Sequence, residues 1–535
     1  MKIIINKIAK YISKYNISTD LILSLYIFFI GTILFSWNMN SLGFYSDDAG
    51  FFYSLGSSTL SQTFNEFLGY VPGRNLHILW QKIIFIFFGW SPQDLPLLHL
   101  FQSICESLVA VLFYIILRRF KISALPSFIG TLAFLLWPTR NDVHFWISSL
   151  PMNIFSTAFF LLFIYTTQEI FKKISNKQFS INKLLIIDTL FYILALFTYD
   201  QVFFALLFIL FLRSIIILKK IKNLRKNIII QLALITLVVF GYLFYKTNYS
   251  SLNGGPTFSM DSVPRVSSNF FLSLDINFTK ISMNFDPIAS ELLTNSQHKF
   301  INISFILLLM IFLYIFYKDN PNKLENSIQK NLYLISISVF LFLLAYLPVY
   351  IWYISPRHNY LPTIFIGSTI AGMLSIFNNF FIKKGPLFLL LWIFILIFPV
   401  HFAFNRFEEN ILKSSNIWAT SYSLRKKISK DLIRKKVFNE NTKCFMVLNA
   451  PAIYKIAPLY ASEQTTFALG YFAKYPLDKF KKNNCERNIV LKDNCFDINN
   501  TSDIKPKDIL AIKINDFNAY TDSKLTYSIL NQCNN

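Results

Sequence analysis

Charge is scarce in this sequence: only 15% of its residues are Asp, Glu, Lys or Arg, against about 25% in soluble globular chains. That shortage excludes an ordinary soluble protein. A Gly-rich phosphate loop and a dinucleotide fingerprint are both missing, which disfavours an ATP-driven pump. No close pair occurs among the six histidines His77, His99, His144, His298, His358 and His401, so no cofactor is expected and the chemistry is read as metal-independent. No small-residue cleavage site follows the first apolar block, which marks that block as a retained helix instead of a signal peptide.

What is present is apolar residues, 54% of the chain with 59 Phe, arranged in long blocks. The run Leu387–Phe404 contains no charged residue, and about 20 such residues span the hydrocarbon of a bilayer. The blocks read as spans over Leu21–Trp37, Leu95–Leu117, Ile122–Pro138, Leu150–Thr167, Leu184–Thr198, Val202–Leu218, Ile228–Tyr245, Phe300–Tyr317, Leu332–Tyr353, Leu361–Ile382 and Leu387–Phe404. These make a polytopic α-helical membrane protein of about 11 transmembrane helices. Asp188 and Arg213 fall inside two spans, each near enough to a helix end to reach the interface. The stretch Leu76–Gly89 is short and interrupted by Lys82, and reads as a helix lying in the interface.

A net charge of +22 often signals nucleic acid, but here most of it borders the apolar blocks, so no nucleic acid partner is expected. Alternate connections carry Lys2, Lys7, Lys10 and Lys14, then Arg118 and Arg119, Lys172 and Lys173, Lys219 and Lys220, Lys318, and Lys383 and Lys384. The positive-inside rule makes these cytoplasmic, with residues 1–20 as a cytoplasmic N-terminus. The first loop, 38–94, and the long loop, 246–299, then face outward from a membrane module over 21–404, and so does the tail, 405–535.

The tail reads as a small soluble α/β domain. Ile417, Leu424, Ile428, Leu432 and Val437 recur at mostly helical spacing, and β-prone runs follow at Cys444–Leu448, Ile489–Leu491 and Ile509–Ile514. Four of the five cysteines, Cys444, Cys485, Cys495 and Cys533, lie there. An even set suits an oxidising compartment, with two disulfides favoured over free thiols and three pairings open.

The first outward loop contains Asp47 and Asp48. Adjacent carboxylates at a low-dielectric surface repel, which raises one pKa and suits a general base or a cation site; a solvated loop with two acids is the plain alternative. Arg74, His99, the run WPTRNDVHFWISS with Arg140, Asp142 and His144, Asp200 in LFTYDQ, and Arg357 and His358 in SPRHNYLP fall on the same side. Arg and His beside carboxylates can hold a phosphate while an acid activates a nucleophile. Glu106, midway along the second span, is an intramembrane acid, either functional or paired with a polar group of a neighbouring helix.

The ordered set of the Asp-Asp loop, an Arg before a juxtamembrane helix, LPLLHLFQSICESLVAVLFYIILRRF, WPTRNDVHFWISSLPMN, LALFTYDQ and RHNYLP resembles the GT-C glycosyltransferases. Within them it is similar to the protein O-mannosyltransferase-like and TMTC-like members and to bacterial polyprenyl-phosphate-sugar transferases. The resemblance implies a GT-C-like fold over residues 20–405. It makes Asp47 the base that deprotonates an acceptor hydroxyl and Asp48 the residue that orients the acceptor or tunes its neighbour. Arg74 and Arg357, and more weakly Arg140 and His358, become contacts of the donor phosphate. Asp200 stands where TMTC-like proteins often carry Lys-Glu, here Tyr199-Asp200, so the acid is kept and the Lys is not.

The implied activity is that of a hexosyltransferase moving a sugar from a polyprenyl-phosphate donor, with inversion, to an acceptor outside the cytoplasm. In a bacterium this places the chain in the inner membrane with its site facing the periplasm, and the acceptor as an envelope glycan such as lipopolysaccharide O-antigen. A protein hydroxyl is the next choice. A transporter, flippase or polymerase of lipid-linked sugars is the alternative, although no internal repeat of the transporter kind is found.

Overall fold

The structure, a computed structural model, describes residues 18–45, 48, 59, 61–63, 75–89, 94–176, 181–220, 225–252, 263–275, 277, 293–318, 328–350, 356–384 and 386–434. It also describes the strand residues of the tail, 444–448, 453–454, 457–458, 489–492, 495–498, 509–515 and 526–530.

Helix α1 (Thr19–Ser36) begins where the Ser18 hydroxyl accepts a hydrogen bond from the Leu21 N–H at 3.1 Å, satisfying one of the free amides of a first turn. Leu23, Ile27, Ile30 and Leu34 are buried, yet the opposite face, Leu21, Leu25, Phe29 and Ile33, is apolar and exposed. A helix apolar all round suits a lipid surround. The helices that follow are α2 (Asn75–Phe88), α3 (Leu95–Arg119), α4 (Ala124–Leu136), the single turn α5 (Asn141–Phe145), α6 (Ser156–Ser175), α7 (Asn182–Thr198), α8 (Phe203–Lys220) and α9 (Arg225–Leu252). After them come α10 (Val263–Leu274), α11 (Asn295–Lys318), α12 (Ile328–Tyr350), α13 (Tyr360–Lys384) and α14 (Pro386–Arg434). A π-helical turn, Leu150–Phe155, runs straight into α6.

Among the described residues, seven helical stretches are long and apolar enough to cross a membrane: Thr19–Ser36, Leu95–Arg119, Leu150–Ser175, Asp200–Lys219, Arg225–Phe244, Ile328–Tyr350 and Arg357–Asn378. This is the build of a helical membrane protein, with seven such helices in place of the expected eleven. Two expected spans correspond to helices too short to be among these seven. The block Ile122–Pro138 yields the 13 residues of α4, a rise of about 20 Å against about 30 Å of hydrocarbon. The block Leu184–Thr198 yields the 17 residues of α7. The expected spans 300–317 and 387–404 lie within α11 and α14, whose side chains are described only in part.

Close backbone contact joins α4 to α13: a Cβ on Gly130 would strike the Gly367 carbonyl oxygen, and one on Gly367 would strike that of Gly130. Small residues allow such approach where lipid leaves packing as the main force between helices. Helix α14 starts at Pro386, where fixed φ suits a first turn and the missing N–H has no partner to lose. It continues without interruption through residues 404 and 405, the expected domain boundary, to Arg434. Its segment beyond that point packs on the bundle through Ile411, Leu412, Ile417 and Trp418, all buried.

In the tail, strands β1 (Cys444–Leu448), β6 (Ile509–Asn515) and β7 (Thr526–Leu530) form a sheet in the order β1-β6-β7. The first pair is parallel, with Cys444 opposite Ile509, and the second antiparallel, with Ala511 opposite Leu530. Strands β2 (Ile453–Tyr454) with β3 (Ala457–Pro458), and β4 (Ile489–Lys492) with β5 (Cys495–Ile498), form two antiparallel hairpins. Cys485 and Cys533, and the side chains of Cys444 and Cys495, lie outside the described residues, and the expected disulfides with them.

Asp188 and Arg213 do not reach the interface. Both are buried and paired at 2.5 Å between α7 and α8. The Arg213 Nη2 donates to Gln231 of α9 at 2.9 Å, Gln231 Nε2 donates to Asp188 Oδ2 at 2.9 Å, and the Thr166 hydroxyl of α6 donates to Asp188 Oδ1 at 3.0 Å. One pair therefore ties four helices. Asp188→Leu alone leaves a buried guanidinium uncompensated and is expected to destabilise the protein by about 3–5 kcal/mol. Asp188→Leu with Arg213→Met should cost less than Asp188→Leu alone, measured by thermal unfolding of the detergent-purified chain.

Candidate functional site

The short α4 has a direct consequence for the segment that follows it. A connection at a membrane surface would be exposed, yet Trp137, Thr139, Arg140, Val143, His144, Phe145, Trp146, Ile147, Ser148 and Ser149 are all buried. The segment turns inward and forms a buried wall at the end of the bundle where α3 begins.

Glu106 fixes its depth. It lies on α3 about 16 Å from Leu95 along the helix. Its Oε1 is 3.2 Å from Arg140 Nη2 and its Oε2 is 2.8 Å from His144 Nδ1, with all three side chains fully buried. Arg140 Nη2 also donates to the Leu135 carbonyl at 2.6 Å, and the guanidinium lies between the rings of Phe134 and Tyr360 at 4.3 and 4.7 Å. The His144 ring stacks on Phe35 of α1, centroids 3.8 Å apart. Burial pushes the His144 imidazole below its usual range, and the neighbouring Glu106 carboxylate acts against that shift. Of the two readings of Glu106, pairing is what the structure contains.

Asp48 is a second buried carboxylate, with no exposed surface. Its Oδ1 accepts from the Ser148 N–H at 2.8 Å, and its Oδ2 from the N–H groups of Ile147 at 3.3 Å and Tyr45 at 3.1 Å. The first loop is thereby bonded to the far end of the segment whose near end Glu106 holds. Asp47 and Arg74 lie outside the described residues, as does the side chain of Asp142.

The other segments marked in the sequence meet the same wall. Arg357, in the turn Pro356–Asn359, places its guanidinium over the Trp146 ring at 4.7 Å. His358 is buried, and its carbonyl accepts from Gln201 Nε2 at 2.6 Å. Asn359 Nδ2 donates to the Thr139 carbonyl at 2.8 Å, and the Tyr346 hydroxyl donates to Asn359 Oδ1. Asp200 pairs with Lys246 Nζ at 2.6 Å. Lys246 belongs to α9.

Several contributors were not marked by the sequence. Gln102 donates from Nε2 to the carbonyls of Val143 at 2.5 Å and Trp146 at 3.0 Å. His99, which the sequence did mark, places its Nε2 3.2 Å from the Gly43 carbonyl. From the long loop, Asn269 Nδ2 donates to the Tyr350 carbonyl at 2.6 Å and Asn277 Nδ2 to the Tyr346 hydroxyl at 2.7 Å. A signal for Gln102 exists, since His99, Gln102 and Glu106 share one helical face by spacing. Lys246 and Asn277 have none, because both are ordinary loop-flanking polar residues in the chain.

Along this wall both donors and acceptors are left without partners, the acceptors including Gln102 Oε1 and Gln201 Oε1. Among the described residues, Nε and Nη1 of Arg140 and the indole N–H groups of Trp137 and Trp146 are buried with no hydrogen-bond partner. Buried donors of this kind call for acceptor atoms. Three His, Cys, Asp or Glu side chains grouped to hold a metal ion do not occur among the described residues.

Asp48→Ala removes the acceptor of three buried amides and is expected to lower stability by about 2–4 kcal/mol. Asp48→Asn keeps one acceptor oxygen and should lose less; the order of the two melting temperatures checks the assignment.

No protein-family model, no curated protein and no solved structure matches this chain, and its function is argued from its own residues.

Proposed function

We propose that the chain is an integral-membrane glycosyltransferase of the GT-C kind, transferring a sugar from a polyprenyl-phosphate donor to a hydroxyl on an envelope glycan. The observation that carries this reading is the gathering of four distant segments, around Asp48, Arg140, Asp200 and Arg357, on one buried wall at one end of the bundle. The unpartnered indole N–H groups of Trp137 and Trp146 on that wall suit an oxygen-rich ligand such as a phosphate or a sugar. In this reading the tail is an α/β domain outside the cytoplasm, and the wall lies on the periplasmic side of a bacterial inner membrane.

The reaction asks little of the protein. A sugar on a phosphate already has a good leaving group, so the acceptor must be positioned and deprotonated and the departing phosphate stabilised. Asp47 takes the proton of the acceptor hydroxyl. The hydroxyl oxygen attacks the anomeric carbon from the face opposite the phosphate, the bond from that carbon to the phosphate oxygen breaks, and the configuration inverts. Arg357 and Arg74 take up the charge on the released polyprenyl phosphate. Asp48 acts by holding the loop that carries Asp47, and Arg140 is committed to Glu106. No metal or other cofactor is assigned a role.

Purified protein given a polyprenyl-phosphate sugar and candidate acceptors should form product, and Asp47→Ala should slow transfer by about 100-fold or more. Transfer that persists at the original rate in both Asp47→Ala and Asp48→Ala would sink the assignment of this loop. Flipping of labelled lipid in liposomes without transfer would give the chain to the transporter class.

A further inference from the structure

We propose that the polar stripe His99, Gln102 and Glu106 on α3 is a positioning device that holds both loops of the buried wall in fixed register on one helix. The stripe is made by spacing, because residues three and four apart lie on one helical face. Each member bonds a different point of the wall. His99 meets the Gly43 carbonyl, Gln102 spans the carbonyls of Val143 and Trp146, and Glu106 takes the side chains of Arg140 and His144. The two loops are in turn joined to each other by Asp48, through the N–H groups of Ile147 and Ser148.

Three bodies are thus tied pairwise: α3 to the first loop, α3 to the 137–149 segment, and the two loops to each other. A closed triangle of this kind cannot slide along any one edge without breaking another. It has particular value here, since the helical turns of the segment, Pro138–Arg140 and Asn141–Phe145, are short and leave backbone groups at their ends that need partners from elsewhere. Gln102 is the informative member. It is uncharged and fully buried, and its Nε2 bonds to two backbone oxygens of the segment, so it sets where that backbone lies. The catalytic consequence, alignment of Asp47 with the donor, rests on the transferase reading; the positioning itself does not.

The test places a reporter on the held segment of the full chain. Ser148→Cys in detergent-purified protein is treated with a maleimide, and labelling is read peptide by peptide by mass spectrometry. Ala133→Cys on α4 serves as the control, since Ser148 and Ala133 are 2% and 4% exposed. Adding Gln102→Met, which keeps the volume and removes both bonds, should speed labelling at position 148 by about tenfold or more, with position 133 unchanged. Glu106→Gln is the second variant and should act in the same direction if Gln102→Met does not fold. Labelling at 148 that stays as slow as at 133 overturns the proposal. So does a parallel rise at both positions, which would mean general loosening. A chain without transferase activity leaves this readout intact, so the two claims fail separately.

Discussion

Glu106 lies well inside a bundle surrounded by apolar side chains, and a carboxylate there must be paired. Much of the buried wall follows from that constraint. The partners on hand are Arg140 and His144, both on the connection after α4. For them to reach Glu106, that connection must leave the end of the bundle and descend, and it does so because α4 stops after 13 residues. Removing one partner from such a buried pair strands the other, so the arrangement is held together by penalty as much as by attraction. The pairs Glu106–Arg140 and Asp188–Arg213 obey the same rule at two places and serve different ends. The second is tied by Gln231, Thr166 and Thr167 and leaves Arg213 Nε without a partner among the described residues, whereas the first leaves both Nε and Nη1 of Arg140.

In the buried segment the helical turns Pro138–Arg140 and Asn141–Phe145 are short, and backbone groups beyond them are buried without a helix or sheet to satisfy them. Asp48 answers for two of the amides and Gln102 for two of the carbonyls. A carboxylate accepting several backbone N–H groups is a strong tether, because ionised acceptors form the shorter and stronger bonds. This places Asp48 in the architecture of the loop and leaves proton transfer, in the proposed reaction, to its neighbour Asp47. It also explains how side chains from distant parts of the chain, such as Arg357 over Trp146, meet one surface.

Much of this organisation could be read from the chain before any coordinates. The apolar blocks marked α3 within two residues of its end, and the β-prone runs marked Cys444–Leu448 and Ile509–Ile514, where strands occur. The order of the blocks also grouped Asp48, Arg140, Asp200 and Arg357 at one end. What could not be read is depth. The apolar pattern of Ile122–Pro138 continues past the last turn of α4, and composition does not distinguish a residue in a helix from one in a buried turn. Asp188 and Arg213 each looked close enough to an end to reach water, because their shared depth arises only when α7 and α8 pack side by side. Gln231 and Lys246 carry no signal of their own until the partner's position is known, and Gln102 carries only its place on the helical face of His99 and Glu106.

The account depends on the 137–149 segment being buried and bonded although it joins two helices. Hydrogen exchange of its backbone amides in the detergent- or nanodisc-embedded protein measures this directly. If the account holds, the Ile147 and Ser148 amides exchange as slowly as those in the middle of α4, because opening them means breaking the buried contacts around them. If they exchange at the rate of an exposed connection, the segment lies at the membrane surface and the buried wall does not exist.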